Sequence, residues 1–476
     1  MREKPNIIYI LADDMGYGDV SALNERCGFH TANLDCMAEE GMCFTDAHAA
    51  SAVCTPSRYS ILTGRYPWRS ILKKDVLQGY DPPLIEAERK TVATMLGEQG
   101  YRTACIGKWH LGLEWTLRDP KDKYSVDFSG PVCGGPTERG FEYFFGISAS
   151  LDMPPYVYIE NNHVTGIPDR EESNWWDKGN SYNKRIFRPG PVGADFRHEE
   201  VLNRLLDKTI EKLEEWKEES FFLYVPLTAP HTPILPTKEF EGKSGTTEYG
   251  DFVLMCDAFT GAVNQWVKDH GLEEDTVVIF TSDNGCSPRA NYPELAQYFH
   301  NPSYVFRGTK FDIYEGGHRV PLIVKWKGTI KAGSRCDRLT GLIDLYATLA
   351  DLLGITLDEK EAEDSVSAWP LWQQQEEGYQ RKYLVLHSVN GSLSVRDEQW
   401  KLILCPDSGG KSAPLPGDVP AHFPAWQLYQ MDKDIRERDN RVTEEPDICE
   451  KLLAELKRMA EKGKEEEKID EYGEKA

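Results

Sequence analysis

Apolar residues in this chain fall into two alternating kinds of run. Short, nearly continuous apolar stretches occur at 6–11, 103–106, 221–227, 276–280 and 322–326, the pattern of strands buried on both faces of a parallel sheet. Between them lie longer stretches with helical spacing: 91–100, closed by Gly100, then 198–216, 251–270, and 344–353, stopped by Gly354. The alternation predicts an α/β fold, a large, mainly parallel sheet sandwiched by helices. Polar residues cluster just past the strand ends: Asp13 and Asp14, Lys108 and His110, His231, Asp283 and Asn284. Open α/β sheets bind ligands beyond the carboxyl ends of their strands, so the pattern alone gathers these residues towards one crevice.

Two stretches break the alternation. Residues 115–191 have little regular periodicity and carry Pro154-Pro155 and Trp175-Trp176, which suits a substrate-binding insertion beside the crevice. Past 371 a polar stretch at 373–378 is followed by three predicted antiparallel strands, 382–387, 391–396 and 400–404, and a closing helix at 448–459. The expected organisation is a catalytic α/β domain over 1–370 and a smaller C-terminal α+β subdomain over 371–476, with a frayed charged tail from Glu461.

Composition narrows the function. The chain of 476 residues carries 78 acidic against 55 Lys and Arg side chains, a formal charge of -23, which disfavours nucleic acid and any long polyanion gripped along its length. A small anion in a local basic pocket is compatible with that charge. The 11 cysteines are odd in number, scattered and without CxxC pairs, unlike a disulfide framework or a structural zinc site. No secretory leader of the usual form and no membrane-length apolar run is visible. The expectation is a cytoplasmic protein with no membrane partner.

The chemistry centres on 51–65, Ser-Ala-Val-Cys-Thr-Pro-Ser-Arg-Tyr-Ser-Ile-Leu-Thr-Gly-Arg. Thr55 followed by Pro56 predicts a helix start, with the hydroxyl as cap. Cys54 then lies at a helix mouth, where unpaired amides favour an anion, and Arg58 adds a cation one turn later. Asp13, Asp14, Asp283 and Asn284 offer hard oxygen ligands, suited to calcium or magnesium and not to zinc. Lys108 and His110 alternate in an extended segment and can point the same way, while Lys310 precedes the motif Glu315-Gly316-Gly317-His318-Arg319.

The residues Cys54-Thr55-Pro56-Ser57-Arg58 with Leu62-Thr63-Gly64-Arg65 resemble the signature of the formylglycine-dependent (type I) sulfatases, within the alkaline phosphatase superfamily. Further blocks resemble that family in its own order: 6–19, 107–112, 228–233, 282–285, 308–321 and, late in the chain, 426–432. The resemblance implies an alkaline-phosphatase-like fold and a Cys54 oxidised to formylglycine (3-oxoalanine) by a formylglycine-generating or anaerobic sulfatase-maturating enzyme. It implies that Asp13, Asp14, Cys54, Asp283 and Asn284 surround a metal, usually calcium in this family, with magnesium as the alternative, and that Arg58 steadies the nucleophile. Lys108 and Lys310 would bind the sulfuryl oxygens and His231 would protonate the departing alcohol. His110 would take the proton whose removal expels sulfate.

The alternatives are an arylsulfatase or steroid sulfatase, a phosphonate monoester or phosphodiester hydrolase of the same superfamily, and a silent relative that only binds sulfated ligands. The last would lack a core residue, and none of the carried-over positions is lost. Residues 151–162 resemble a segment of family members that act on sulfated sugars. Trp175-Trp176 can stack on a sugar ring, and Asp152 or His163 can bind its hydroxyls. The expected substrate is a small sulfate ester, a mono- or oligosaccharide, since a long sulfated chain meets overall repulsion.

Overall fold

The computed structural model describes residues 4–172 and 186–461. Strand β1 (Asn6–Asp13) is buried along its whole length, as its unbroken apolar run requires. Its side chains alternate between two cores: Ile8 and Ile10 join one apolar layer, Ile7, Tyr9 and Leu11 the other. Helices therefore have to cover both faces. Helix α1 (Ala32–Glu40), α2 (Cys54–Thr63), α3 (Val92–Glu98), α4 (Val201–Trp216), α5 (Glu248–Asp269) and α6 (Leu345–Leu352) do so. Of these, α1, α4 and α5 feed the first layer and α2, α3 and α6 the second.

The remaining strands of the large sheet are β2 (Met42–Phe44), β3 (Arg102–Lys108), β4 (Tyr143–Ile147), β5 (Ile159–Glu160), β6 (His163–Val164), β7 (Phe221–Pro230), β8 (Thr276–Ser282), β9 (Leu322–Lys325) and β10 (Ser334–Cys336). Their order is β10-β2-β9-β8-β1-β7-β3-β4-β5-β6. The central run from β8 to β4 is parallel, so Asp13, Lys108, His231 and Asp283 all emerge at one edge. Strand β9 is antiparallel to β8. The segment 283–321 stays at the edge where β8 ends, so the next strand must run back the other way.

The expected insertion at 115–191 is partly woven into this sheet, because β4, β5 and β6 extend it. Short strands at Pro168–Glu172 and Gly190–Gly193 pair with each other beside it. Trp175 and Trp176 lie outside the described residues. No helix among the described residues is long and apolar enough to cross a membrane.

The C-terminal sheet has four antiparallel strands where the hydrophobic pattern predicts three: β11 (Leu384–His387), β12 (Leu393–Arg396), β13 (Trp400–Ile403) and β14 (Gln427–Gln430). Helix α7 (Pro446–Glu461) covers it with Cys449, Leu452 and Leu456. This third core also takes in Ala50, Tyr66, Ile313 and Tyr314. The C-terminal sheet thus packs directly on the segments that flank Cys54 and follow Lys310.

Candidate active site

Helix α2 begins at Cys54 itself. Val53 is the extended residue before it, no side chain caps the first turn, and Gly64 closes the helix in the left-handed region at φ 64°. The cap expected from Thr55 is absent. Its hydroxyl instead accepts the backbone N–H of Leu77 at 3.2 Å, and the Leu77 carbonyl lies 2.8 Å from His110 Nε2. Thr55 therefore helps to place His110 and leaves the helix amides uncapped by side chains.

Around Cys54 the strand ends converge in a buried cluster. Potential ligand atoms of Asp13, Asp14, Cys54 and His231 all lie within 4.8 Å of one another. Cys54 Sγ is 3.6 Å from Asp13 Oδ1 and 4.0 Å from Asp14 Oδ1. Lys108 Nζ donates to both oxygens of Asp13, at 2.9 and 2.8 Å. Lys310 Nζ lies 2.6 Å from Asp14 Oδ1 and 3.3 Å from Cys54 Sγ. His231 Nε2 is 3.6 Å from Asp14 Oδ2, and its Nδ1 sits against the Thr232 carbonyl at 2.5 Å. A carbonyl only accepts, so Nδ1 carries a proton and Nε2 is the atom turned towards the cluster.

Arg58, expected to steady the nucleophile, makes its hydrogen bonds to the strand ends. Its Nε and one terminal nitrogen donate to Asp283 Oδ2, at 3.0 and 2.7 Å, and the other donates to the Lys108 carbonyl at 2.8 Å. It is a fully buried brace between α2, β3 and the end of β8. Asp283 Oδ1 accepts the Asp14 N–H at 3.2 Å, and Asp14 is held at φ 67°, a conformation non-glycine residues rarely adopt. Gly285 completes the arrangement, since a Cβ there would lie 1.9 Å from the Gly316 carbonyl oxygen. The Asp283-Asn284 turn can approach the Gly316-Gly317 backbone this closely only because position 285 has no side chain.

Two atoms in this cluster are buried without a hydrogen-bond partner, Asn284 Oδ1 and His110 Nδ1. Asn284 Nδ2 donates to Asp14 Oδ1 at 2.7 Å and to the Gly285 carbonyl at 2.9 Å, which fixes the amide and leaves its oxygen free. An orphan oxygen beside three carboxylates is a hard-donor set, and it fits a calcium- or magnesium-like cation held by Asp13, Asp14, Asp283 and Asn284. His110 Nε2 faces a carbonyl and must bear the proton, so Nδ1 presents a lone pair. His110 also has a positive φ, 56°. Burial, reinforced by Lys108 and Arg58, holds its imidazole well below the usual histidine range, and the ring is neutral.

Charge is distributed unevenly. Burial alone would raise the Asp13 carboxyl, but Lys108, His231, Arg58 and Lys310 together hold it far below the carboxylate range. Burial pushes the Cys54 thiol up to about 12 against the pull of Lys108 and Lys310. An unmodified Cys54 is thus a protonated thiol at neutral pH and a weak nucleophile.

The two residues expected to bind sugar hydroxyls part company. His163 sits in β6, the outermost strand of the sheet, exposed and hydrogen-bonded to Asn162. Its hydrogen bond is to its own hairpin, so the structure does not bring it to the Cys54 centre. Asp152 is buried, its Oδ1 has no partner, and its Oδ2 lies 3.8 Å from an Arg188 nitrogen. Arg188 donates to Gln78, the neighbour of Leu77, so Asp152 connects through Arg188, Gln78 and Leu77 to His110. Arg188 and Gln78 were not legible in the sequence because each lies in an irregular stretch with no periodicity.

The sequence profile of the sulfatase family matches residues 5–355. The chain is 32% identical over 492 residues to an N-acetylgalactosamine-6-O-sulfatase of Bacteroides thetaiotaomicron, covering 94% of this chain and 92% of that protein. It is 34% identical over 374 residues to arylsulfatase G of Mus musculus, covering 74% and 66%. A solved structure from work on glycosaminoglycan metabolism by Bacteroides thetaiotaomicron superimposes with a TM-score of 0.82 at 31% identity, covering 96% of this chain and 99% of that one. With the signature at Cys54 seated among the strand-end carboxylates and lysines, the chain belongs to the sulfatase family and is a sulfuric ester hydrolase.

Proposed function

We propose that this enzyme removes sulfate from a sulfated mono- or oligosaccharide, with a formylglycine made from Cys54 by a maturation enzyme and a divalent cation, calcium by expectation, at Asp13, Asp14, Asp283 and Asn284. The formylglycine supplies a hydroxyl nucleophile from its hydrated aldehyde and the cation supplies Lewis acidity. The observation that carries the reading is the convergence of two buried ammonium groups, Lys108 and Lys310, on the carboxylates beside position 54. Lys310 is placed to take the nonbridging oxygens of a sulfate ester approaching position 54, with Lys108 behind it neutralising Asp13. His231 turns Nε2 inward and keeps Nδ1–H on the Thr232 carbonyl, so its imidazolium form, with a second proton on Nε2, would hand that proton to the leaving alcohol. His110 offers the neutral lone pair of Nδ1 to accept the proton whose loss releases sulfate.

Support for a sugar comes from Asp152, whose unpartnered buried oxygen suits a hydroxyl donor, and from the relative that acts on N-acetylgalactosamine 6-sulfate along nearly the whole chain. The test has two arms. Tandem mass spectrometry of the Cys54 peptide from active protein should show an aldehyde in place of the thiol, and active protein carrying only the thiol sinks the formylglycine reading. Rates on galactose, N-acetylgalactosamine and glucosamine sulfates should exceed the rate on an aryl sulfate. Activity confined to the aryl ester removes the sugar.

A further inference from the structure

A cleft of about 910 Å³ lies apart from the Cys54 centre, and no residue of that centre lines it. Its walls come from three stretches, 24–26, 436–438, and the segment 299–307 that leads into Lys310. Four arginines line it. Arg307 is committed to the fold, donating to Tyr429 Oη and the Glu437 carbonyl and lying 3.8 Å over the Tyr314 ring. Arg26, Arg436 and Arg438 are exposed, and among the described residues their guanidinium groups make no ion pair or hydrogen bond.

That isolation is informative in a chain with a formal charge of -23, where carboxylates are abundant partners. Of the two carboxylates at the cleft, Glu437 is buried and engaged by Lys401 at 2.7 Å, which leaves Glu25 near Tyr304 Oη at 3.4 Å. The lining carries four arginines against two carboxylates, a local positive excess in a chain of net negative charge. Beside the arginines stands Phe299, 88% exposed, with Tyr304 half-buried next to it. An aromatic ring left in water and rimmed by unpaired guanidinium groups matches a sulfated sugar, whose apolar ring face stacks while its sulfates take bidentate hydrogen bonds.

We propose that this cleft is an accessory binding site for a sulfated oligosaccharide, holding sulfate groups other than the one being cleaved. The ligand class rests on the sugar-sulfate reading above. Such a local positive excess accommodates a short anionic ligand while the net charge of the chain repels a long one.

The test uses the full-length protein and two variants remote from the catalytic groups, the triple R26A/R436A/R438A and the single F299A. Calorimetry with a chondroitin-sulfate-type hexasaccharide at low salt should show roughly tenfold weaker binding for the triple variant and a several-fold loss for F299A. The kcat/KM of both variants on monosulfated N-acetylgalactosamine and on an aryl sulfate should stay within about twofold of wild type. Equal hexasaccharide affinity in wild type and triple variant overturns the site. So does equally tight, arginine-dependent binding of an oligonucleotide of matched charge, which would make the cleft a general polyanion surface. If no sugar sulfate is hydrolysed, the sugar reading fails, yet arginine-dependent binding of the hexasaccharide, preferred over the oligonucleotide, would still uphold the cleft.

Discussion

Two buried clusters in this enzyme carry the same formal charges and behave oppositely. At the catalytic centre Asp13, Asp14 and Asp283 face Arg58, Lys108 and Lys310. Where the C-terminal sheet meets the segment after Lys310, Asp46, Glu315 and Glu437 face Arg319, Arg396 and Lys401. The second cluster is closed. Lys401 Nζ reaches Glu315, His318 and Glu437 at 3.0, 3.0 and 2.7 Å, His48 and His318 meet at 3.0 Å, and none of its side-chain atoms is left unpartnered. The grouping of His48, Glu315 and His318 could look like a metal site, but Lys401 and Arg396 already supply its positive charge. The first cluster instead leaves Asn284 Oδ1 and His110 Nδ1 open. What separates a working site from a structural one here is incomplete satisfaction of its polar atoms and not the amount of buried charge.

The sharpest way to break this contrast is at position 54. Cys54→Ala should lower kcat by on the order of 10⁵ or more while the thermal melt stays near wild type, because the side chain is small. A residual rate within tenfold of wild type would mean that position 54 is not the nucleophile. Next, His110→Ala should cost kcat roughly 10²–10⁴, with a stability loss of about 1–3 kcal/mol because the buried ring donates from Nε2 to the Leu77 carbonyl. Turnover of the folded fraction within tenfold of wild type would place His110 with the structural group.

Lys401→Met should do the reverse. Leaving Glu315 and Glu437 buried with one cation fewer should cost about 3–5 kcal/mol of stability, read from a denaturant titration, with the folded fraction retaining most of its turnover at low temperature. A stable but inactive Lys401→Met protein would overturn the assignment of this cluster to structure.

Acid should expose the same distinction. Burial holds His48, His110, His198, His318 and His387 below the ordinary histidine value, His198 at about 3. A depressed folded value means that stability is fully present above about pH 6.5 and is lost as pH falls, at up to about 1.4 kcal/mol per unit for each group. Glu437, raised by burial and Glu315 to about 7 against Lys401, has the opposite sign. Its contribution is present below about pH 4.5 and is lost as pH rises through about 7, so it offsets one histidine between those values. The net expectation is a denaturant midpoint that falls from pH 7 to 5, and a flat profile would contradict neutral buried histidines. The smallest effect should be Asp152→Asn, raising KM for a sugar sulfate by a few fold with little change on an aryl sulfate. An equal rise on both esters would remove Asp152 from sugar recognition.

Much of the fold was legible from local pattern. The fully buried strands at 6–11, 221–227 and 276–280 and the helices between them follow from side-chain period alone, and Asp13, Lys108, His231 and Asp283 were placed at one edge by that reasoning. Strands β4, β5 and β6 were missed because the latter two are only two residues each and their pairing is decided by neighbours far along the chain. The fourth strand of the C-terminal sheet was missed for the same reason, standing apart from the other three behind a long loop.

The sequence by itself determined which residues are available for chemistry: a cysteine opening a helix, hard oxygen donors after buried strands, and lysines and histidines beside glycines. Those are local properties, set by backbone period and residue type. Only the tertiary structure decided what each one does. Arg58, one turn from Cys54, turned out to brace Asp283, and Thr55 to hold Leu77 under His110. Asp152 was joined to the centre through Arg188 and His163 was left at the sheet edge. The physical reason is that partners such as Arg58 and Asp283 are separated by 225 positions. Which buried atoms remain unpaired is a sum over every contact the fold makes, so no stretch of sequence contains it.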